Sequence, residues 1–327
     1  MTARSSLETI TPTRPGPTLL GVLVLLLASA LPAAAQYRDW GPILLDIPAS
    51  TRALGLGNSF SLTSGSSEAI FYQPGLLSRA QGYSASIQRF GTSATQVAAS
   101  AGGSWLSGGV SLGVQHLSYG VDVYELLEDD NRLNLPADKG SLRTNGNIGV
   151  SEMVLSLGLG RTVKGIQVGA VGKLIEQRFG RSKAATAAID IGLSSSTGPL
   201  VVGLAVQNLG EDLTISGAEV PLPVRYSLGA STQTAQVGPL DLSASGAVIY
   251  QQEEKDLVPS AGIEVAYWPV NGRTFIGRFG FRHLPDGQSG SPITFGGGFR
   301  GDNIVLDYAY EGFDSGSPTH RIGIGWR

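Results

Sequence analysis

The feature that most constrains this chain is a period-two alternation of apolar and polar residues, repeated from about residue 82 to the C-terminus. In the segment 166–174 every second residue is apolar or small, and Gln167 and Lys173 lie between them. Successive side chains of a β-strand point to opposite faces, so each such segment predicts a strand with one apolar and one polar face. A soluble β-sandwich alternates in the same way, and the compartment must therefore be argued from other features.

The N-terminus predicts export from the cytoplasm. Arg4 and Arg14 precede an apolar run at 18–31, and the alanines at 33–35 offer a small-residue cleavage site. This pattern is typical of a secretory signal peptide, here residues 1–36, because the apolar run is too short for a comfortable membrane span. An uncleaved anchor is the alternative. The chain contains no cysteine, which argues against a lipoprotein anchor and a disulfide framework.

Turn signals and alternation predict fourteen strands after residue 81. Many have the length of a tilted membrane strand, about 9–11 residues or more, whereas soluble strands average about 5–6. An even number is typical of single-chain bacterial barrels. The predicted fold is therefore all-β, a transmembrane antiparallel β-barrel of about 14 strands with an N-terminal hatch that contains a short helix. The predicted strands are 82–91, 95–104, 107–118, 151–162, 164–178, 184–196, 199–209, 221–234, 237–251, 257–268, 272–283, 291–300, 303–313 and 318–327.

The composition agrees with a barrel whose outer face meets lipid. Glycine accounts for 46 of the 327 residues, about twice the usual share, and only 15% of residues are charged. The net charge is −3, so neither a nucleic-acid partner nor a basic membrane-surface protein is indicated. A glycine-rich secreted β-protein would share this composition, which therefore supports the barrel without deciding it.

Within the predicted strands the charges largely share one phase and the large apolar residues share the other. An outward-facing Arg or Lys costs about 2–4 kcal/mol at mid-bilayer, which favours placing the charges inside the barrel. They then either line a pathway or pair with each other in a packed interior. The predicted lumen-facing charges are Lys173, Asp190, Arg225, Asp241, Glu264, Arg278, Arg282, Arg300, Asp307 and Glu311.

Two regions break the alternation. Residues 67–77 group apolar side chains around Gln73, Pro74 and Gly75, which predicts a short helix and a turn. Because it precedes the first strand, this region is a candidate plug for the lumen. Residues 119–150 are rich in charge and predict a long extracellular loop. The domains are accordingly a signal peptide (1–36), a hatch (37–81) and an outer-membrane barrel (82–327).

Several motifs resemble those of the PorV/PorQ family of outer-membrane proteins. Residues 52–60 (RALGLGNSF) and 68–76 (EAIFYQPGL) resemble its N-terminal signature, with Tyr72 and Gln73 where the family usually has Trp and Asn. Further matches are VVGLAVQNLG at 201–210, VPLPVR at 220–225, LDYAY at 306–310 and THRIG at 319–323. In the hatch, the residues that carry the resemblance are Arg52, Gly55, Gly57, Asn58, Gln73, Pro74 and Gly75.

The resemblance implies a fourteen-stranded barrel with an N-terminal hatch in the bacterial outer membrane, similar to the FadL-type transporters. For PorV-like members it implies type IX-like protein secretion or surface assembly, with the barrel binding and shuttling secreted cargo. The alternative is a FadL-like transporter of hydrophobic small molecules. The expected partners are outer-membrane lipid, together with secreted cargo or secretion components, or with a hydrophobic solute.

Two structural features would separate these interpretations. A continuous apolar pocket behind Ile70, Phe71, Leu76 and Leu77 would favour transport. A closed, charge-paired lumen would count against it.

The sequence does not indicate an enzyme. It contains three histidines, none in a metal-binding spacing, and no cysteine. One G-x-S-x-G match occurs at 109–113, but it lies inside a predicted strand and lacks the strand–turn–helix context of a nucleophile elbow. Gly55 and Gly57 resemble the start of a dinucleotide loop, yet Phe60 stands where the third glycine belongs. We therefore expect no catalytic residues, no metal site and no cofactor.

Overall fold

The computed structural model describes residues 41–60, 62–63, 65–91, 94–126, 142–215, 217–284, 290–313 and 318–326. The predicted signal peptide, residues 37–40 of the hatch and Arg327 lie outside these residues.

The chain from Gly82 onward forms a closed antiparallel barrel of fourteen strands, as predicted. Each strand pairs with its neighbours in the chain, and the first strand pairs with the last, Tyr83 opposite Trp326 and Arg89 opposite His320. The segments β10 (Arg225–Thr232) and β11 (Ala235–Val237) both pair with β12 (Leu240–Gln251) and together occupy one position in the barrel. A separate two-stranded hairpin, β8 (Leu213–Ile215) with β9 (Ala218–Val220), lies outside the barrel sheet. The strands are β1 Gly82–Phe90, β2 Ala94–Trp105, β3 Gly108–Leu126, β4 Leu142–Val163, β5 Ile166–Phe179, β6 Ser182–Thr197, β7 Leu200–Gly210, β8 Leu213–Ile215, β9 Ala218–Val220, β10 Arg225–Thr232, β11 Ala235–Val237, β12 Leu240–Gln251, β13 Asp256–Val270, β14 Arg273–Arg282, β15 Ile293–Arg300, β16 Ile304–Glu311 and β17 Thr319–Trp326.

The alternation in sequence becomes an apolar outside and a polar, glycine-rich inside. On β4, Leu155, Leu157 and Leu159 are exposed on the outer face, while Glu152 and Ser156 are buried inside. The same phase holds around the barrel, and the exposed outer residues include Ile189, Ile263, Phe279, Leu306 and Ile322. An outer surface of this kind is stable only when lipid covers it.

The prediction of a long loop over residues 119–150 was partly wrong. β3 continues to Leu126 and β4 begins at Leu142, with a bulge between Asp122 and Tyr124. The polar residues of this region were interpreted as a loop, because a strand that extends above the bilayer contacts water on both faces and shows no apolar–polar alternation. Asp122, for example, accepts a 2.9 Å hydrogen bond from the Nδ2 of Asn147 on the paired strand. Residues 127–141 lie outside the described part of the chain.

The two ends of the barrel differ in the length of their connections. At one end most links are short, such as the two-residue turn of Lys164 and Gly165, both with positive φ. At the other end β7 and β10 are joined by residues 211–224, and β14 and β15 by 283–292. Short turns are periplasmic and long loops extracellular in barrels of this kind, which sets the orientation.

The hatch lies inside the barrel. It consists of short helical turns, Ile43–Leu45, α1 at Thr51–Gly55, Ser67–Phe71 and Pro74–Arg79. Leu44, Leu54, Ile70 and Leu77 are fully buried in it. None of the helices in the described part of the chain is long and apolar enough to cross a membrane.

Candidate functional site

Glycines in the barrel wall make room for the hatch on two sides. At Gly160 a Cβ would stand 2.7 Å from the carbonyl carbon of Leu77, in the turn Pro74–Arg79. On the opposite wall, a Cβ on Gly262 would stand 2.7 Å from Cβ of Leu56, just after α1. Such distances are below van der Waals contact, so only glycine lets the backbone of the hatch approach this closely. The hatch is therefore wedged between two glycine-lined walls.

Arg321 on β17 is the main tie between the hatch and the wall. It is fully buried and donates to two carbonyls of the hatch, at 2.6 Å to Pro48 O and through a second contact to Ala49 O. Its remaining acceptors lie on β1 and β2: Gln88 Oε1 at 2.9 Å, Gln96 Oε1 at 2.9 Å and Ser86 Oγ at 2.8 Å. A buried guanidinium needs such partners, because burying a charge without them is costly.

Four of the predicted residues form one chain of ion pairs beside α1. Arg52 contacts Glu264 with two nitrogens, at 2.9 and 2.8 Å. Arg278 contacts the same carboxylate at 2.7 Å and Asp307 at 2.7 Å. Bidentate, charge-assisted contacts of this kind are the stronger class of hydrogen bond. The network attaches Arg52 of the hatch to β13, β14 and β16.

A second buried pair lies on the opposite wall. Lys173 Nζ is 2.7 Å from Asp190 Oδ2 and donates to Asn208 Oδ1 at 2.7 Å. The register of β6 and β7 shifts here, and Asn208 has a positive φ of 63°, the signature of a β-bulge. Gln207 in the same bulge donates to Phe71 O at 3.0 Å, so the bulge also holds the hatch.

Tyr72, Ser50 and Glu68 form a hydrogen-bonded layer across the hatch. The hydroxyl of Tyr72 accepts from the backbone N–H of Ala49 at 2.9 Å and of Ser50 at 3.0 Å. Ser50 Oγ donates to Glu68 Oε2 at 2.9 Å, and the Tyr72 ring stacks on Phe60 at 4.7 Å. Burial raises the pKa of the Glu68 carboxyl and raises the pKa of Tyr72 to about 12.

The other predicted charges also lie at the lumen wall. Arg282 contacts Glu311, and Arg225 is 4.0 Å from Asp46 of the hatch. Asp241 lies on β12 in the inward phase, opposite the buried Ala266 of β13. Arg300 lines a cavity at the periplasmic end.

The remaining hatch-motif residues pack against the wall. A Cβ on Gly55 would lie 3.1 Å from Gly296 Cα, and Gly57 has a φ of +69°. Asn58 also has a positive φ, and its N–H donates to Ala53 O at 2.8 Å. Gln73 caps the turn that follows it through Gly75 N–H, and Pro74 begins that turn.

Several small cavities lie between hatch and wall in the described part of the chain. One, of about 50 Å³, lies at the periplasmic end and is lined by Arg52, Glu68 and Asp307 among others. Two others, of about 30 and 60 Å³, share Asn58 and Arg225 in their linings. A water molecule needs roughly 10–15 Å³ of cavity volume, so each of these cavities has room for only a few waters.

The lining residues show what separates the cavities. Tyr72 lines the cavity of about 30 Å³, and Glu68 lines the periplasmic one. Ser50 lies between them, bonded to both side chains. The hydrogen-bonded layer of Tyr72, Ser50 and Glu68 therefore lies between these two cavities.

Two important residues escaped the sequence analysis. Arg321 was noted only as part of a motif, and Glu152 was not singled out, although its carboxylate accepts from Leu44 N–H at 2.7 Å and from Gln177 Nε2 at 3.1 Å. Both are charges in the inward phase of their strands, and that signal could have found them.

The geometry around the G-x-S-x-G match does not resemble a nucleophile site. Ser111 is the fourth residue of β3 and faces the lumen, whereas His116 is on the opposite face with Nε2 3.2 Å from Ser151 Oγ. In the described part of the chain, no group of three or more His, Asp or Glu side chains could hold a metal ion.

Solved structures of bacterial outer-membrane barrels share this fold. The toluene transporter TodX of Pseudomonas putida is 13% identical over 89% of this chain and 98% of its own, with a TM-score of 0.53. The monoaromatic hydrocarbon channel CymD is 12% identical over 86% and 98%, with a TM-score of 0.52. A FadL homologue of Pseudomonas aeruginosa is 10% identical over 85% and 98%, with a TM-score of 0.52.

At these identities the likeness establishes the fold, which is that of the FadL-type barrels. No protein-family model matches the sequence, and no curated protein matches it. The fold and the exposed apolar outer face place the chain in the bacterial outer membrane. The PorV/PorQ resemblance has no counterpart among these structures and stays a prediction.

Proposed function

We propose that this protein is a passive conduit for small hydrophobic molecules across the outer membrane, with the hatch as its closure. The observation that carries the proposal is a fourteen-stranded barrel filled by an N-terminal hatch, whose fold is similar to those of a toluene transporter and a monoaromatic hydrocarbon channel. The likeness to the toluene transporter extends over 89% of this chain.

The closed lumen requires the hatch to move if a solute is to pass. Ile70, Leu76 and Leu77 are packed in a buried apolar cluster, and none of them lines one of the three cavities described above. Phe71 and Tyr72 do line a cavity, together with Leu45, Ile47 and Ile249. This partly apolar cavity is the proposed starting point of the route, and its small volume means that a monoaromatic enters only when the hatch shifts.

Locking the hatch to the wall tests this requirement. Ser59 of the hatch and Ser245 of β12 have their Oγ atoms 2.8 Å apart, so S59C/S245C places two thiols within disulfide reach. The chain has no native cysteine, so no other disulfide competes. We expect the oxidised variant to lose protein-dependent uptake of labelled toluene by whole cells and to recover it after reduction.

A matched control keeps the disulfide but spares the hatch. S118C/S151C joins β3 to β4 at directly opposite positions on the outer face, away from the hatch, and should leave uptake unchanged in both redox states. Full uptake by completely cross-linked S59C/S245C would contradict hatch movement. If the wild-type barrel gives no more toluene uptake than cells that lack it, the conduit itself is rejected.

The second candidate is the secretion or surface-assembly role that the PorV/PorQ resemblance implies. The packed, charge-paired lumen favours it, because a barrel that anchors or shuttles cargo needs no pathway. Purification from the native envelope in mild detergent separates the two functions. Secreted proteins with a common C-terminal domain would support the shuttle, and a bound apolar molecule without a protein partner would support the conduit.

A further inference from the structure

A cluster of charges faces outward at the extracellular end of β5 and β6. Arg178 and Lys183 are directly opposite each other in the register, a like-charge pair that would be unfavourable alone. Glu176, two residues below Arg178 on the same face, contacts both at 2.7 Å. The two cationic side chains are 58% and 53% exposed, and Arg181 in the connecting turn is exposed as well.

This cluster lies at the top of the lipid-facing surface. Below it on the same face are Leu174 and Ile189, both exposed and apolar. Arg178 is twelve residues above Ile166, the start of β5 at the periplasmic end. At about 3.3 Å per residue and a tilt of about 40°, that is roughly 30 Å along the bilayer normal, above an apolar band of about 25 Å. The cations therefore stand at the level of the lipid headgroups.

The paired strands β10 and β12 end at this rim with aromatic residues instead. Tyr226 and Tyr250 are paired on the outward faces of β10 and β12, with ring centroids 6.3 Å apart. Aromatic side chains are the usual residues at a membrane interface and need no ionic partner. The basic cluster on β5 and β6 is thus a local departure, held in place by Glu176.

We propose that Arg178 and Lys183, with Arg181 beside them, bind the phosphate group of an anionic lipid in the outer leaflet. The cluster carries three cations against one carboxylate, so it keeps positive charge after Glu176 is counted. The contact to Glu176 uses the Nε of Arg178, and a guanidinium has four further N–H donors suited to phosphate oxygens. Glu176 orients the two side chains and reduces their mutual repulsion.

The test uses the full barrel in a neutral detergent and diphosphorylated lipid A as the probe. Affinity is measured from the rise in unfolding temperature during a lipid titration. In R178A/K183A we expect the affinity to fall about thirtyfold, the equivalent of about 1 kcal/mol for each cation at the membrane surface. The matched control is R161A/K164A, which removes two exposed cations from the periplasmic end of β4 and its turn and should bind like the wild type.

Three outcomes would overturn the proposal. Equal loss in both variants would indicate a nonspecific charge effect. Equal binding of dephosphorylated lipid A would show that the acyl chains suffice. A wild-type response to inorganic phosphate as large as that to lipid A would indicate a simple anion site and no headgroup recognition. None of these outcomes depends on whether the barrel conducts hydrophobic solutes.

Discussion

At the scale of single residues, the fit of the hatch depends on positions where no other residue type is accommodated. Gly57 follows α1 with a φ of +69°, and its N–H donates to Thr294 Oγ1 at 3.1 Å. A Cβ at this position would lie 2.7 Å from the backbone nitrogen of Phe281 on β14. Backbone conformation and lack of space therefore both require glycine here.

We expect Gly57→Ala to destabilise the protein by about 1–3 kcal/mol, because the left-handed conformation and the contact with β14 both become strained. Denaturant unfolding in detergent micelles measures this change. Gly172→Ala is the control, since a Cβ at that position on β5 meets nothing within 4 Å. Equal stability of the two variants would mean that the hatch is not seated against β14 as described.

Glu68 should make the stability of the hatch depend on pH. Burial raises its pKa in the folded state above the ordinary value of 4.5, so the folded protein holds this proton more tightly than the unfolded chain. The stability that the protonated Glu68 carboxyl contributes is fully present below pH 4.5. It is lost as the pH rises through the raised pKa of the folded state. We expect Glu68→Gln to remove this dependence and to be at least as stable as the wild type at pH 7.

The measurement is the unfolding midpoint between pH 4 and pH 8. Glu219→Gln, in the exposed hairpin of β8 and β9, is the control and should follow the wild type. If the unfolding midpoint of Glu68→Gln changed with pH as much as that of the wild type, the pH dependence would belong to another group.

At the scale of elements, the hatch is a separate layer tied to the barrel at a few points. Arg321 ties residues 48–49 to β1, β2 and β17, and Arg52 ties α1 to β13. The turn Pro74–Arg79 is held mainly by close packing against the glycines of β3 to β6. A change at one tie should therefore loosen the hatch before it opens the barrel, whose strands are hydrogen-bonded to one another.

We expect Arg321→Met to expose the hatch to trypsin at Arg52 and Arg79 while the barrel stays folded. In this variant two hatch carbonyls and two glutamine side chains lose their hydrogen-bond donor. Each buried group that is left unsatisfied destabilises the packing of the hatch by about 1–3 kcal/mol. Limited proteolysis followed by mass spectrometry locates the cuts. Arg161→Met removes an exposed arginine and should leave the hatch protected; protection of the hatch in Arg321→Met would show that Arg321 is not the main tie.

At the scale of the whole molecule, the barrel is stable only with lipid or detergent around its outer face. Leu157 lies six residues above the periplasmic end of β4, near the middle of the apolar band, and Ile166 lies at the periplasmic start of β5; both are exposed on that face. We expect Leu157→Arg to cost about 2–4 kcal/mol and Ile166→Arg about 0–1 kcal/mol, because the penalty for a charge falls toward the interface. Unfolding from lipid vesicles measures both variants. Equal costs would contradict the depth assigned to β4.

The strand pattern is local information, and the sequence alone was sufficient for it. Side chains two residues apart share a face in any strand, so a common outward phase was predicted for the large apolar residues without knowledge of their neighbours, and Leu155, Leu157 and Leu159 lie in that phase. The length of the strands and the signal-like N-terminus then indicated an outer-membrane barrel. The ends of β3 and β4 were misjudged because above the bilayer the alternation no longer distinguishes a strand from a polar loop.

Which inward charges meet was decided only by the tertiary structure. Arg52 pairs with Glu264, 212 residues later, and Arg321 reaches Pro48 across 273 residues, because barrel closure brings β17 beside β1 and the hatch fills the space between the walls. The alternation assigns a charge to the lumen, but it does not say which strands far apart in sequence come close together. The sequence by itself therefore determined the strands, their two faces and the membrane, whereas the hatch contacts and the closed lumen came from strand register and packing, which no local period encodes.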